Sequence, residues 1–232
     1  MRGSVGIYYL ASPLVSRSNG GASKHGGRVS LLTEDRVRER ARMSTKAAGL
    51  SSRQLLARQA RESHRRYDIF LSQAIRDEEL ILGIYSILTE DIGLTVFCDW
   101  VESPLSHRAN TTPADAEYIK GKMLASRGLM FIDSEHAETS SWMSWEIGWF
   151  HGAKRRVCVL PIVRSEDDQY RGREFLGLYP MVEEDDRFAL RVPARMADIM
   201  SRYAAPEPLA LARWMPFQVW ATVETLPDQF LS

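Results

Sequence analysis

From residue 67 onward the chain alternates short, continuously apolar runs with longer segments of helical spacing. YDIFLS (67–72) reads as a first strand, and residues 77–90 place Leu80, Ile81, Ile84, Ile87 and Leu88 along one side of a helix that Gly93 ends. LTVFC (94–98) reads as a second strand, 113–126 as a second helix and GLMFID (128–133) as a third strand. A third helix, capped by Thr139 or Ser140, runs to about residue 152, and RVCVLPIV (156–163) makes a fourth strand. Such alternation predicts a parallel sheet with helices on both faces, and uninterrupted apolar strands are what double covering demands. FLGLYPMV (175–182) follows a polar loop and is expected to add a fifth strand at an edge, where Pro180 is tolerated. Residues 195–203 and 209–214 read as helical cover for the sheet. The expected fold is α/β, a flavodoxin-like doubly wound parallel sheet of five strands, within one domain spanning 67–232.

Residues 1–66 have a different texture. SRSNGGASKHGGRVS (16–30) offers little to bury and reads as a flexible connection. Beyond it Arg36, Arg38, Arg40, Arg42, Arg53, Arg58, Arg61, Arg65 and Arg66 make a basic stretch, with Ser51 or Ser52 placed to cap a short helix. Leu55 and Leu56 are the only sizeable apolar residues on that helix, so weak docking is expected. Met43 would make a natural start, which would leave the first 42 residues as an upstream addition of little functional weight. The chain is formally neutral, yet residues 1–66 hold 14 Lys+Arg against 4 Asp+Glu, so a basic extension precedes an equally acidic body. Almost no aromatic residue lies between Arg28 and Arg66 to stack on bases. A solvated or partner-docking segment is therefore expected there, not a nucleic-acid binder.

The remaining composition, 44% hydrophobic and 26% charged, is that of a globular protein. Cys98 and Cys158 both fall inside apolar strands, so neither a disulfide framework nor a cysteine metal site is expected, which suits a reducing cytoplasm. No apolar stretch approaches the roughly 18 residues needed to cross a bilayer. Residues 5–15 resemble a signal core but are interrupted by Gly6, Ser12 and Pro13, so neither a membrane nor secretion is expected.

In doubly wound sheets, ligands bind beyond the carboxyl ends of the strands. Those ends present Ser72 and Gln73, then Asp99 and Trp100, then Asp133 and Ser134. On a helical wheel of the third helix, Trp142, Met143, Trp145, Trp149 and Phe150 surround Glu146, setting a carboxylate in the middle of an aromatic face. A carboxylate there is costly to desolvate without a partner. Acids so held are functional candidates, although structural ion pairs leave the same signature. Capping does not explain it, because the residues three after Thr139, Ser140 and Ser141 are Trp142, Met143 and Ser144. An ion pair with Lys154, Arg155 or Arg156 stays open as the alternative. Trp145 and Trp149 are expected in the core, and Trp142, nearest the strand ends, at the ligand.

On these residues the chain resembles the Toll/interleukin-receptor (TIR) family, and in particular bacterial TIR proteins of antiphage systems such as Thoeris. YDIFLSQAIRDEE (67–79) is similar to the family's opening strand and loop, TVFCDW (95–100) to its second strand, and residues 101–112 occupy the place of its BB loop. SSWMSWEIGWFHGAKRRVCVLPI (140–162) carries the most specific likeness, with Trp142 four residues before Glu146. One departure is Gln73, where the family commonly has His or Tyr.

The resemblance implies cleavage of NAD⁺ at its nicotinamide–ribose bond, with Glu146 catalytic and Ser72, Gln73, Asp99, Trp100 and Trp142 contacting substrate. It further implies release of ADP-ribose or a cyclic isomer, a homo-oligomer formed through TIR–TIR contacts, and a separate effector that senses the product. A non-catalytic scaffold acting through homotypic assembly is the alternative. The chain has no G-x-G-x-x-G and no clustered His or Cys, so NAD⁺ is expected as a consumed substrate, with no retained cofactor and no metal.

Overall fold

The computed structural model describes residues 30–59, 64–73, 77–98, 112–134, 141–165, 167–168, 170, 174–194 and 213–232. Five parallel strands build the central sheet: β1 (Leu32–Thr33), β2 (Tyr67–Ser72), β3 (Val96–Cys98), β4 (Ser126–Ser134) and β5 (Val157–Val163), in the order β1–β5–β4–β2–β3. Strands β2 to β5 fall where the apolar runs put them. Because β2 lies between β3 and β4, the chain order reverses there, making the carboxyl end of β2 the switch point where such sheets take ligands.

Both faces are covered. On one face lie α4 (Pro113–Ala125) and α5 (Ser141–Lys154), packing Ile119, Met123, Met143, Ile147 and Phe150 on Phe70, Leu129, Phe131, Val157 and Val159. On the other lie α1 (Glu34–Ala48), α2 (Ser52–Gln59) and α3 (Glu78–Ser86), the last prolonged by a π-helical turn, Ile87–Asp91. Local chemistry sets the helix starts: Asp77 accepts the N–H of Glu79 and Leu80, and Thr112 and Asp115 form a reciprocal capping box before Pro113.

The fifth strand differs from expectation. Residues Glu174–Leu178 close a 3-10 turn instead, and only Met181 reaches the sheet, as an isolated parallel bridge to Val159. The carboxyl half of the β5 edge is taken by β1, with Leu32 opposite Ile162 and Thr33 opposite Val163. The segment expected to be a loosely docked extension thus supplies a sheet edge, and Leu32, Val37, Ala41, Leu55 and Leu56 all join the core. Leu32, Val37 and Ala41 precede Met43, so a chain begun at Met43 would lose them.

The same helices consume the charge asymmetry. Arg38 donates to Asp77 at 2.7 Å and to Glu79 at 3.0 Å; Arg40 donates to both oxygens of Asp91, to Glu90 at 2.7 Å and to Ser44; and Arg53 donates to Glu78 at 2.6 Å. Arg36, Arg38, Arg40, Arg42 and Arg53 of the basic stretch thus dock on acids of the same chain. Between these clamps α1 approaches α3 so closely that a Cβ on Gly83 would stand 2.1 Å from the Val37 carbonyl oxygen.

The C-terminal segment differs as well. Residues 195–212, which hold all but two of the positions read as helical cover, lie outside the described residues, but Trp214–Pro216 forms a strand, β8. It pairs antiparallel with β7 (Leu190–Pro193), itself paired with β6 (Glu183–Glu184). A short helix, α6 (Phe217–Thr222), then buries Phe217, Trp220 and Ala221 under the sheet, with Phe230 following. Gly128 of β4 makes room, since a Cβ there would meet the Trp220 ring at 3.1 Å.

Two outcomes follow from the α1–α3 contact. Gly83→Ala destabilises by about 1–3 kcal/mol despite the better helix former, because the methyl meets backbone. Gly121→Ala, whose Cβ meets nothing within 4 Å, stabilises; urea denaturation of the two variants checks the opposite signs. The second outcome concerns acid. Burial pushes the Asp77 carboxyl up, but the Arg38 hydrogen bond, the N–H of Leu80, the Arg38 charge and the N–H of Glu79 together outweigh it and hold the group below its ordinary value. The unfolded chain therefore takes up this proton first, so the contribution is intact above about pH 4 and is lost as pH falls through the folded value. In Arg38→Gln the acid limb of stability is shallower, as unfolding free energies measured from about pH 5 downward will show.

Candidate active site

Strand alternation assigns Ser72 its side. Phe70, two residues earlier, packs against α4 and α5, so Ser72 at the end of β2 points to that same face. Helix α5 lies over β4 and buries Met143, Glu146, Ile147 and Phe150, the i, i+3, i+4, i+7 stripe of a helix with one face inward. Glu146 is the polar member of that stripe. The Ser72 hydroxyl donates to Glu146 Oε2 at 2.6 Å, and the two residues are 1% and 2% exposed. A buried, charge-assisted bond of this length orients the carboxylate and offsets part of its desolvation.

The buried stripe is centred on Met143, Ile147 and Phe150, to one side of the tryptophans. Trp142, Trp145 and Trp149 are half-buried, with Trp142 stacked on Trp145 at 4.8 Å between centroids and 24° between planes. Glu146 therefore sits at the border between the inward stripe and the tryptophan flank, not in the middle of an aromatic face. Gln73 follows Ser72 and is 2% exposed. Asp99 and Trp100 lie outside the described residues, as do 101–111 of the expected BB loop.

The expected ion-pair alternative is not formed. Lys154 donates to the carbonyls of Leu124 at 2.7 Å, Met123 at 3.2 Å and Ser126, closing the carboxyl end of α4. Arg155 donates to the Ser232 carbonyl at 3.0 Å, and Arg156 to those of Val223 at 2.8 Å and Glu224 at 3.0 Å. All three cations are committed to backbone oxygens. Burial, with the neighbouring Arg156 charge, lowers the Lys154 ammonium below its usual value, and burial, with Arg127, lowers Arg156.

One further group was placed at a strand end from sequence but given no role there. Asp133, near the end of β4 and on the same face as Phe131, is 3% exposed and accepts from the Tyr170 hydroxyl at 2.6 Å. Ser72 is in register with Phe131, which places the Asp133 backbone about 8 Å from Ser72 by strand spacing and rise. Its strand-end position was a signal; Tyr170, in a polar loop, gave none. Burial keeps the thiol of Cys158 well above its ordinary value, and Cys98 and Cys158 are both buried and in no disulfide.

A doubly wound parallel sheet in the order β1–β5–β4–β2–β3, with a serine ending β2 and bonded to a buried acid on the helix after β4, is the arrangement that the resemblance to TIR domains led one to expect. Among known proteins the chain is similar to the probable 3′ cyclic ADP-D-ribose synthase ThsB′ of Bacillus cereus (strain MSX-D12), at 40% identity over 117 residues. The match takes in 50% of this chain and 60% of that protein, so the chain spans less than two thirds of its relative's length. No family model matches the chain.

The Ser72–Glu146 bond is testable by itself. A double-mutant cycle with Ser72→Ala and Glu146→Ala, read by chemical denaturation, should give a coupling of about 1.5–3 kcal/mol, the range for a hydrogen bond to a charged group. A coupling near zero would show that the hydroxyl does not hold the acid.

Proposed function

We propose that this domain cleaves NAD⁺ at the bond between nicotinamide and ribose, with Glu146 as the catalytic carboxylate. The observation that carries this is the buried acid bonded to Ser72 at the switch point of the sheet. Nicotinamide carries the positive charge in NAD⁺ and departs neutral, taking the electron pair of the broken C–N bond. No general acid is needed at the leaving group. What the step requires is a fixed negative charge beside a ribose that becomes oxocarbenium-like, and a preorganised carboxylate in a water-poor site supplies it. Ser72 keeps that carboxylate aimed, and Trp142, half-buried on the flank of α5 beside Glu146, offers a ring surface for a planar group.

The electron-poor carbon is then taken either by water, giving linear ADP-ribose, or by a hydroxyl of the adenosine ribose, giving a cyclic isomer; the nucleophile loses its proton in both cases. Kinship to a cyclic ADP-ribose synthase favours the cyclic product. NAD⁺ is consumed in this scheme, with no retained cofactor. We place the protein in the cytoplasm, where NAD⁺ is held and buried thiols stay reduced. Among the described residues no helix is long and apolar enough to cross a membrane. The product would signal to a separate effector in antiphage defence, and homotypic TIR contacts would complete the pocket.

Purified protein incubated with NAD⁺ should release nicotinamide, and chromatography of the second product decides between linear and cyclic ADP-ribose. Glu146→Ala should lower kcat by about 100-fold or more. Turnover that survives this substitution, or no nicotinamide from the parent protein at any concentration tried, would refute the proposal and leave the non-catalytic scaffold.

A further inference from the structure

The sheet has a second opening, at the end away from Glu146. A cavity of about 430 Å³ lies where β2 and β3 begin, between the last turn of α2 and the π-helical turn that prolongs α3. Tyr67 and Ser72, the two ends of β2, are about 16 Å apart by strand rise, so this opening is separate from the Ser72–Glu146 pair. Its volume falls within the roughly 300–1,000 Å³ of small-molecule sites. The buried part of its lining is apolar, from Leu55, Leu94 and Val96, and half-buried Tyr85 adds a ring.

The rim is cationic. Arg58 and His64 line the cavity and are exposed, and Arg65 and Arg66, also exposed, follow His64 in the chain. Arg36, Arg38, Arg40, Arg42 and Arg53 are each paired with an acid, whereas Arg58, Arg65 and Arg66 make no ion pair among the described residues. The basic stretch therefore keeps unspent charge, and part of it stands at this opening. Glu90, the acid in the lining, is held by Arg40 at 2.7 Å, and Asp68, which accepts from the Thr95 hydroxyl at 2.8 Å, faces Arg127 at 3.7 Å.

Two further features mark the wall. Gln59 has its Oε1 buried with no hydrogen-bond partner among the described residues, a state that costs free energy until an N–H or O–H reaches it. The π-helical turn, which brings Thr89 and Glu90 into the lining, is a rare distortion that occurs frequently at functional sites.

We propose that this cavity binds a nucleoside monophosphate. The planar base lies among Tyr85, Leu55, Leu94 and Val96, a base or sugar donor satisfies Gln59 after a small turn of the amide, and the phosphate sits at Arg58 and His64. Inorganic phosphate would leave the apolar lining wet, and an uncharged nucleoside would leave Arg58 unused. Bound there, the nucleotide ties α2 to the starts of β2 and β3, far from the reacting atoms. The site goes beyond the NAD⁺-cleaving function proposed above and does not depend on it.

Isothermal titration of the full chain with AMP, GMP, CMP and UMP tests this. At least one should bind with a Kd below about 1 mM, and its nucleoside and inorganic phosphate should each bind at least about tenfold more weakly. Arg58→Glu, a substitution at an exposed position, should weaken the nucleotide about tenfold or more, with Arg58→Gln in between. Glu146→Ala should leave its affinity within about twofold. Amide exchange locates the ligand: it should slow exchange at Leu94, Thr95 and Val96 and leave Ser72 and Gln73 as they were.

No binding by any of the four nucleotides overturns the proposal. Inorganic phosphate binding as tightly as the nucleotide reduces the opening to a bare anion patch and overturns it too. Affinity kept in Arg58→Glu but lost in Glu146→Ala, or protection confined to Ser72 and Gln73, puts the nucleotide at the carboxyl ends of the strands and does the same.

Discussion

The central strands are covered on both faces, so they can carry polar chemistry only where they run out. Within β2 the residues Ile69, Phe70 and Leu71 are sealed between helix layers, and the first side chain free of that demand is Ser72. The same limit acts on β4, whose apolar run ends at Asp133. On α5 it acts in reverse, because a helix lying over the strand ends can afford one polar position on its inward stripe if the sheet supplies a partner. Glu146 is that position and the Ser72 hydroxyl is the partner. Confining polar groups to one edge is what gathers a serine, two acids and a tyrosine from segments far apart in the chain.

The charge distribution is a second consequence of covering both faces. Helix α1 has only Val37 and Ala41 as apolar residues fully buried against α3, too few to hold a helix by area alone. Arginine forks to acids on α3 and its π-helical turn make up the difference, and they determine where the helix sits along α3. Such partly buried bidentate pairs fix geometry better than they add stability. The paired arginines of the basic stretch and their acids thus describe one interface seen from its two sides.

Elements with long apolar runs were legible in the sequence, because continuous burial leaves a periodic signature that survives without context. Strand β1 was not. It has two residues, Leu32 and Thr33, and exists only because β5 offers an edge at Ile162 and Val163. Residues 175–182 erred the other way: their composition suits a strand, but Glu174–Leu178 turns and leaves one bridge at Met181. That Glu146 is buried was legible from its place on the helix, while the tryptophans expected around it pack against the core only in part. Their large, amphipathic rings instead flank the stripe that Met143, Ile147 and Phe150 occupy. The roles of Arg38 and Tyr170 were illegible, since each depends on a partner at least 37 residues away.

The outer edge of β5 is shared. Residues 180–182 occupy its amino half through Val159, which donates to the Pro180 carbonyl and accepts from the Val182 N–H, and β1 occupies its carboxyl half. An open parallel sheet would otherwise offer a row of unsatisfied N–H and C=O groups there, an invitation to strand addition by another molecule. With two short segments from opposite ends of the chain filling that row, this flank is closed to runaway edge-to-edge stacking. On this flank, any contact between stacked copies would run through side chains, which can be made specific in a way that bare backbone cannot.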